Sequence, residues 1–344
     1  MKLLENLYKI SSPSGQEKAM QKFIMDYCKK NKLDVTATKD KTGNIYITKG
    51  EDKTYPCVVA HMDEVHKKNK NKEIVIHDDL LFGIDRKAMK QTGIGADDKN
   101  GIWVALNLLT TQKVLKCAFF VGEEIGCVGS EKADMDFFAN VRFVLQCDRR
   151  NADDFICNAS GVELSDKAFF ERCGASKFGY KVTSGLQTDV VTLKKRGLNV
   201  CAANLSCGYY NPHQETEMTC FDELKNCLAL CEHIITTVTE VQTHIYTPRP
   251  SFGSAFRHDV DDFSDYDFDY GYAWRSNYHN EWYEQNKQVK QVAETEINDD
   301  YLRLSELYPD EQVRLYLKRK YQFLNDTHFV DQCIDAQGAD DLLF

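Results

Sequence analysis

The sequence predicts an α/β fold, in which a mainly parallel mixed sheet is flanked by helices and followed by an acidic, aromatic-rich C-terminal extension. Short β-branched runs alternate with helical patterns up to about residue 245. Several of these runs are continuously apolar, as expected of strands that are buried on both faces. With 344 residues and 42% hydrophobic residues, the chain is long enough for one large or two modest domains.

The first elements are two amphipathic helices and a hairpin. Residues 2–8 and 16–30 carry apolar side chains at helical spacing, separated by Ser-Ser-Pro-Ser-Gly at 11–15. Ser12 or Ser14 can cap the second helix. The runs at 35–38 and 44–48 flank a Lys-Thr-Gly turn and predict a hairpin.

The remaining elements of this region alternate between strands and helices. Central strands are expected at 57–60, 117–122, 142–147 and 198–206, and helices at 98–111, 163–173 and 221–241. Together these elements make a predicted domain over residues 1–245.

The composition changes beyond residue 247. The stretch 259–269 holds six aspartates among Phe and Tyr, and it has few aliphatic residues to form a core. We therefore expect an irregular linker at 246–296. A short helical tail at 297–344 follows, with helical patterns at 297–307 and 310–324.

Composition also restricts the class of protein. Lys and Arg number 43 against 53 Asp and Glu, so the net charge argues against nucleic-acid binding. No continuous run of apolar residues is long enough to span a membrane, and the first residues lack the pattern of a signal peptide. Thirteen cysteines, none at the spacing of a zinc knuckle, indicate reduced thiols and a cytoplasmic location.

The first candidate for chemistry follows the strand at 57–60. His61 and Asp63 are two residues apart, so in extended chain they face the same side. A metal-bound histidine usually donates its second ring N–H to a carboxylate. A strand-end histidine and a solvated aspartate would give the same pattern, so this pair alone does not decide.

Two acidic motifs follow. Asp97 comes after a Gly-Ile-Gly-Ala turn and directly before a helix, where a capping role would explain it equally well. Glu123 and Glu124 follow an apolar strand, and their adjacent side chains diverge. One carboxylate could therefore bind a metal while its neighbour holds a water to be deprotonated.

Asp148 and His213 complete the set. Each follows an apolar run, and each alone is unremarkable. However, four predicted strands end in a histidine or a carboxylate, and sites assemble at the carboxyl ends of strands in open α/β sheets. Two histidines and three carboxylates suit a pair of borderline metal ions, one carboxylate bridging them.

In order along the chain, these motifs resemble the co-catalytic zinc exopeptidase superfamily. The resemblance covers about the first 240 residues, from Ser-Pro-Ser-Gly at 12–15 to Glu217. The motifs at 95–101 and 204–213 are most similar to peptidase T, and the motif at 60–65 to the glutamyl aminopeptidases. The resemblance implies a zinc-exopeptidase-like fold.

The resemblance also implies roles for individual residues. Asp97 would bridge two ions, Asp63 would orient a histidine ligand, and Glu123 would be the general base. Thr188 and Asp189 resemble a pair that lines the substrate side of the pocket. The implied metal ligands are His61, Asp97, Glu124, Asp148 and His213.

One family feature is missing. Relatives insert a lid or dimerisation domain between ligands, but the intervals 149–212 and 62–96 are too short for one. The first interval is expected to hold one strand and the helix at 163–173 and little else. The lack of a lid domain slightly favours a monomer.

The resemblance implies a metal-dependent exopeptidase that cleaves short peptides through a metal-bridging hydroxide. We expect an aminopeptidase, since Glu64 and Asp189 are acids that could hold a substrate amine. A carboxypeptidase or an N-acyl amino acid deacylase is the enzymatic alternative, and a non-catalytic binding module is the second alternative. The two divalent ions are expected to be Zn²⁺, with Co²⁺ or Mn²⁺ also suited to these ligands.

Overall fold

The computed structural model describes residues 1–247 and, beyond them, only positions 297, 314, 317, 331 and 333–335. The chain divides into two compact units, Met1–Phe252 and Gly253–Phe344. The predicted linker at 246–296 lies outside the described residues from position 248 onward, as do the two tail helices except for single positions. In the second unit, Arg314 Nη2 lies 2.9 Å from Asp335 Oδ1.

The first unit contains helices and strands in alternation. Its helices are α1 Lys2–Lys9, α2 Lys18–Lys30, α3 Ala96–Thr111, α4 Val128–Glu131, α5 Lys167–Cys173, α6 Asp189–Lys195 and α7 Phe221–Thr237. Its strands are β1 Val35–Lys39, β2 Ile45–Lys49, β3 Tyr55–His61, β4 Lys72–His77, β5 Leu80–Asp85, β6 Lys90–Thr92, β7 Leu115–Phe120, β8 Val141–Arg149, β9 Asp154–Ala159, β10 Val162–Glu163, β11 Lys181–Gly185, β12 Ala202–Ser206, β13 Tyr209–Tyr210 and β14 Met218–Cys220.

A mixed sheet forms the centre of the unit. Its strand order is β1-β2-β7-β3-β8-β12-β9-β10, and β11 pairs with β9. The middle strands β7, β3, β8 and β12 run parallel, while the β1-β2 hairpin joins β7 antiparallel. The predicted sheet with a parallel centre is therefore confirmed.

The middle strands are apolar throughout because helices cover both faces. Along β3, Val58 and Ala60 pack with α1, α3 and α7, whereas Cys57 and Val59 pack on the opposite face with α6. This alternation has the period of two that a strand imposes. Both faces of the central sheet are buried, and the polar side chains lie at the carboxyl ends of its strands.

A second, five-stranded sheet was not predicted. Its order is β13-β14-β5-β4, with β6 paired to β5. It joins the segment between His61 and Asp97 to the segment around His213. This small sheet is important for the site because the chain enters the α3 loop directly from β6.

Two expectations were wrong. Neither Ser12 nor Ser14 caps α2, whose N-terminus has Glu17 and no side-chain cap; Ser14 Oγ instead donates to Asp63 Oδ2 at 2.8 Å. The interval 149–212 holds more than one strand and one helix, since it contains β9, β10, β11, β12, β13, α5 and α6. Most of these strands extend the central sheet.

Two further observations concern the whole described part. No helix in the described residues is long and apolar enough to cross a membrane. The twelve cysteines within residues 1–247 form no disulfide. Three of them, Cys147, Cys227 and Cys231, cluster with every thiol buried in the apolar core between β8 and α7.

Candidate metal centre

Five predicted ligands converge at the carboxyl end of the central strands. The side chains come from the end of β3, the end of β8, the loop after β7, the start of α3 and the hairpin between β13 and β14: His61, Asp148, Glu124, Asp97 and His213. Parallel strands end at the same edge of a sheet, and therefore residues that are distant in sequence meet there.

The five side chains form two groups that share one carboxylate. In the first triad, His61 Nε2 lies 3.0 Å from Asp97 Oδ1 and 3.6 Å from Asp148 Oδ1. In the second triad, His213 Nε2 lies 3.3 Å from Asp97 Oδ2 and 3.0 Å from Glu124 Oε2. Each oxygen of Asp97 therefore faces a different histidine.

This arrangement fits two metal ions. Within each triad, one potential ligand atom per residue lies within 4.8 Å of the others. Glu124 Oε1 is buried and has no hydrogen-bond partner, which is costly for a carboxylate unless a cation is near. Imidazole nitrogens and carboxylate oxygens suit Zn²⁺, Co²⁺ or Mn²⁺.

The electrostatics of the carboxylates also favour the binding of cations at this centre. Burial, together with the negative charge of Asp97, raises the pKa of Asp148 to about 7, although His61 opposes the rise. Burial likewise raises the pKa of Glu124. Hydrogen bonds to Asp97 and Glu124 raise the pKa of His213 to about 10. Positive charge at this centre would relieve the repulsion between these acids.

Asp97 and the next residue have different tasks. Asp97 faces both histidines, whereas Asp98 Oδ1 accepts the backbone N–H of Gly101 at 2.9 Å inside α3. Asp98 Oδ2 also accepts the N–H of His61 at 3.1 Å. Asp98 therefore caps the helix, and Asp97 points its carboxylate toward the two histidines.

Asp63 connects the first triad to the Glu123–Glu124 loop. Its carboxylate accepts the backbone N–H of Glu123 at 3.0 Å and that of Glu124 at 3.2 Å. His61 Nδ1 lies 3.1 Å from the backbone oxygen of Asp63 and 3.4 Å from its Oδ1. The His61 ring therefore contacts Asp63 through both the backbone oxygen and the carboxylate oxygen of that residue.

Glu123 lies beside the triads without belonging to either. The pKa of Glu123 is raised to about 9, mainly by burial; the charge of His61 opposes the rise, and the charges of Asp148 and Asp189 add to it. The Cys127 thiol lies 3.6 Å from its Oε1. A carboxyl group with a raised pKa beside a candidate metal centre can accept and return a proton.

Thr188 and Asp189 lie behind the first triad. Thr188 Oγ1 donates to Asp148 Oδ2 at 2.9 Å. Asp189 is fully buried; its Oδ1 accepts the Ser130 hydroxyl at 2.6 Å, and burial raises its pKa to about 6. Thr188 thus contacts a candidate ligand directly, and the predicted substrate-side role of the pair stays a prediction.

Sequence reasoning missed Tyr209. Its hydroxyl oxygen lies 3.2 Å from Asp97 Oδ2 and 3.4 Å from Asp148 Oδ1, so its proton can be donated to either carboxylate. Burial raises the pKa of Tyr209, which keeps it a hydrogen-bond donor. The only signal in the sequence is its position four residues before His213.

Solved structures share this fold. No protein-family model and no curated protein sequence matches the chain. An aminopeptidase PepT from Bacillus cereus and a tripeptidase from Staphylococcus aureus each superpose with a TM-score of 0.56 at 14% identity, covering 69% of this chain and 97% of theirs. An aminopeptidase from the archaeon Desulfurococcus kamchatkensis gives a TM-score of 0.53 at 15% identity, covering 70% of this chain and 94% of its own. The expected zinc-exopeptidase-like fold is therefore confirmed.

Proposed function

We propose that the chain is a dinuclear metal-dependent exopeptidase, most specifically an aminopeptidase acting on short peptides. The observation that carries the proposal is the position of Asp97, whose two oxygens each face one histidine triad. A single carboxylate placed between two sets of ligands suits a pair of neighbouring ions.

Each residue of the site would have a separate role in the reaction. His61, Asp148, Glu124 and His213 would hold the ions, with Asp97 between them. Bound ions would lower the pKa of a water molecule and polarise the substrate carbonyl. Glu123 would take the proton of the attacking water and return it to the leaving amine as the C–N bond breaks, so that it ends in its initial protonation state.

The preference for an aminopeptidase needs support other than Glu64. That residue was expected to be available to a substrate amine, but its carboxylate is buried and lies 2.8 Å from the ammonium of Lys99. Asp189 is fully buried as well, and its carboxylate accepts the Ser130 hydroxyl. Support comes instead from the fold, because two solved structures that share it are described as aminopeptidases.

The test follows a mixture of short peptides by mass spectrometry, each peptide in a free and an N-acetylated form. The enzyme is the full chain loaded with Zn²⁺, and E123Q is the inactive comparison. E131Q, a change of the same kind on α4, is the matched control. We expect stepwise loss of N-terminal residues from free peptides only, with E131Q active and E123Q not.

Other outcomes would redirect the assignment. Cleavage of acetylated peptides would indicate a deacylase, and loss of residues from the other end would indicate a carboxypeptidase. If two ions bind but no product depends on Glu123, the domain is a binding module.

A further inference from the structure

We propose that Glu217 is a positioning residue that holds the second triad together, so that the second ion depends on it far more than the first. This inference rests on the proposed dinuclear centre. It concerns a residue whose carboxylate contacts no side chain of either triad but does accept the backbone N–H of Asp97.

Glu217 is completely buried and its carboxylate is saturated with donors. Oε2 accepts the backbone N–H of Ile94 at 3.0 Å and of Gly95 at 2.6 Å, and His66 Nε2 lies 3.0 Å away. Oε1 accepts the backbone N–H of Asp97 at 3.2 Å. One side chain therefore binds three backbone groups within four residues of the loop that presents Asp97.

A second buried carboxylate supports the same loop from the other side. Lys99 Nζ donates to Glu64 Oε2 at 2.8 Å and to the carbonyl of Ile94 at 3.0 Å. Gly95 lies between the two acids with φ +66°, and a Cβ there would lie 2.2 Å from Glu64 Oε2. The loop is therefore held in one conformation by contacts on both sides.

Glu217 also holds the segment that carries His213. Glu217 lies four residues after His213, and its backbone N–H donates to the carbonyl of Gln214 at 3.1 Å. The next residue begins β14, which pairs with β5 of the small sheet. Glu217 thus links the segments that carry Asp97 and His213, two of the three residues of the second triad.

The first triad has a different support. His61 and Asp148 belong to β3 and β8, which are adjacent parallel strands of the central sheet. If the carboxylate of Glu217 were weakened, these two ligands would keep their places and only Asp97 would be less precisely held. In the second triad, Asp97 and the segment of His213 would both lose the carboxylate contact that links them, and only Glu124 would be unaffected, so its ion would be lost first.

The substitution E217Q tests this at constant size. A glutamine offers one acceptor oxygen where the carboxylate offers two, and it turns an N–H₂ group toward backbone donors. Glu215 provides the matched control, since its Oε2 accepts the N–H of Gly93 at 3.3 Å in the same loop pair. E217D, which keeps the charge but is shorter, is the second variant.

The measurement is a Zn²⁺ titration of the full chain with ¹⁵N-labelled histidine, followed by NMR of the imidazole nitrogens. His61 reports the first ion and His213 the second, so the two affinities are read separately. We expect E217Q and E217D to weaken the second ion by about 10- to 100-fold and the first by less than about threefold. E215Q should bind both ions as the unchanged protein does.

Melting curves in the presence of a chelator establish that each variant is folded, and if E217Q is not, E217D carries the test. Equal weakening of both ions, or unchanged binding of the second, would overturn the proposal. A failure of the proposed dinuclear centre is visible separately, because then neither His61 nor His213 of the unchanged protein would respond to Zn²⁺, and a failure of the peptidase activity alone is visible in the peptide assay.

Discussion

At the scale of single residues, the stability contributed by the buried pair of Glu64 and Lys99 depends on pH. Burial alone raises the pKa of Glu64, but the charges of Lys99 and Lys72 outweigh it and lower the pKa below the ordinary 4.5. The pair therefore stabilises the fold fully above pH 4.5, and this contribution is lost as pH falls through the lowered pKa.

The variant E64Q makes this measurable. It leaves the Lys99 ammonium buried without its partner, and the free energy of unfolding at pH 7 should fall by about 3–5 kcal/mol. The difference from the unchanged protein should shrink as pH falls below 4.5. Urea unfolding in the presence of a chelator checks this; a difference that stays constant with pH would contradict it. E73Q, which breaks the exposed pair with Arg86, should change stability little.

Glu123 and Glu124 are neighbours in sequence with different expected roles. Glu124 belongs to the second triad, whereas Glu123 does not contact either histidine among the described hydrogen bonds. We expect E123Q to keep both ions and lose about 10²- to 10⁴-fold in turnover. E124Q should lose one ion. Metal analysis of the two variants after gel filtration decides this, and loss of zinc from E123Q would contradict the division of roles.

At the scale of elements, the loop between β6 and α3 depends on Gly95. An alanine there would combine a left-handed φ with a contact of 2.2 Å to Glu64 Oε2. Gly15 has a similar φ of +78° with no atom within 4 Å of its would-be Cβ. We expect G15A to cost about 1 kcal/mol and G95A about 3 kcal/mol or more. Chemical unfolding compares them, and equal losses would show that the contact is unimportant.

The helices and strands also explain which site residues could be predicted from the sequence and which could not. His61, Glu124 and Asp148 could be found because each comes at or after the end of a continuously apolar strand, and parallel strands end at one edge. The small sheet was missed because β4 alternates weakly in burial and β13 has only two residues. Glu217 and Tyr209 act through contacts across 61–151 positions of sequence, for which no local pattern exists.

At the scale of the whole molecule, every residue of the candidate centre lies within the first unit. We therefore expect a chain ending at Phe252 to bind the same two ions and to keep the Glu123-dependent turnover. Calorimetric Zn²⁺ titration and the peptide assay compare it with the full chain. Weaker metal binding or lost turnover in the shortened chain would show that residues 253–344 contribute to the centre.

The two histidines differ in access to solvent, since the side chain of His61 is fully buried while that of His213 is 51% exposed. Ions arriving from solution would thus meet the outer position first and the inner one behind it. The two ions would therefore be lost in a fixed order, in which the outer ion leaves first and the inner ion last. Under a falling supply of metal, the outer ion would be given up while the inner one remained, and turnover would stop before the protein was emptied.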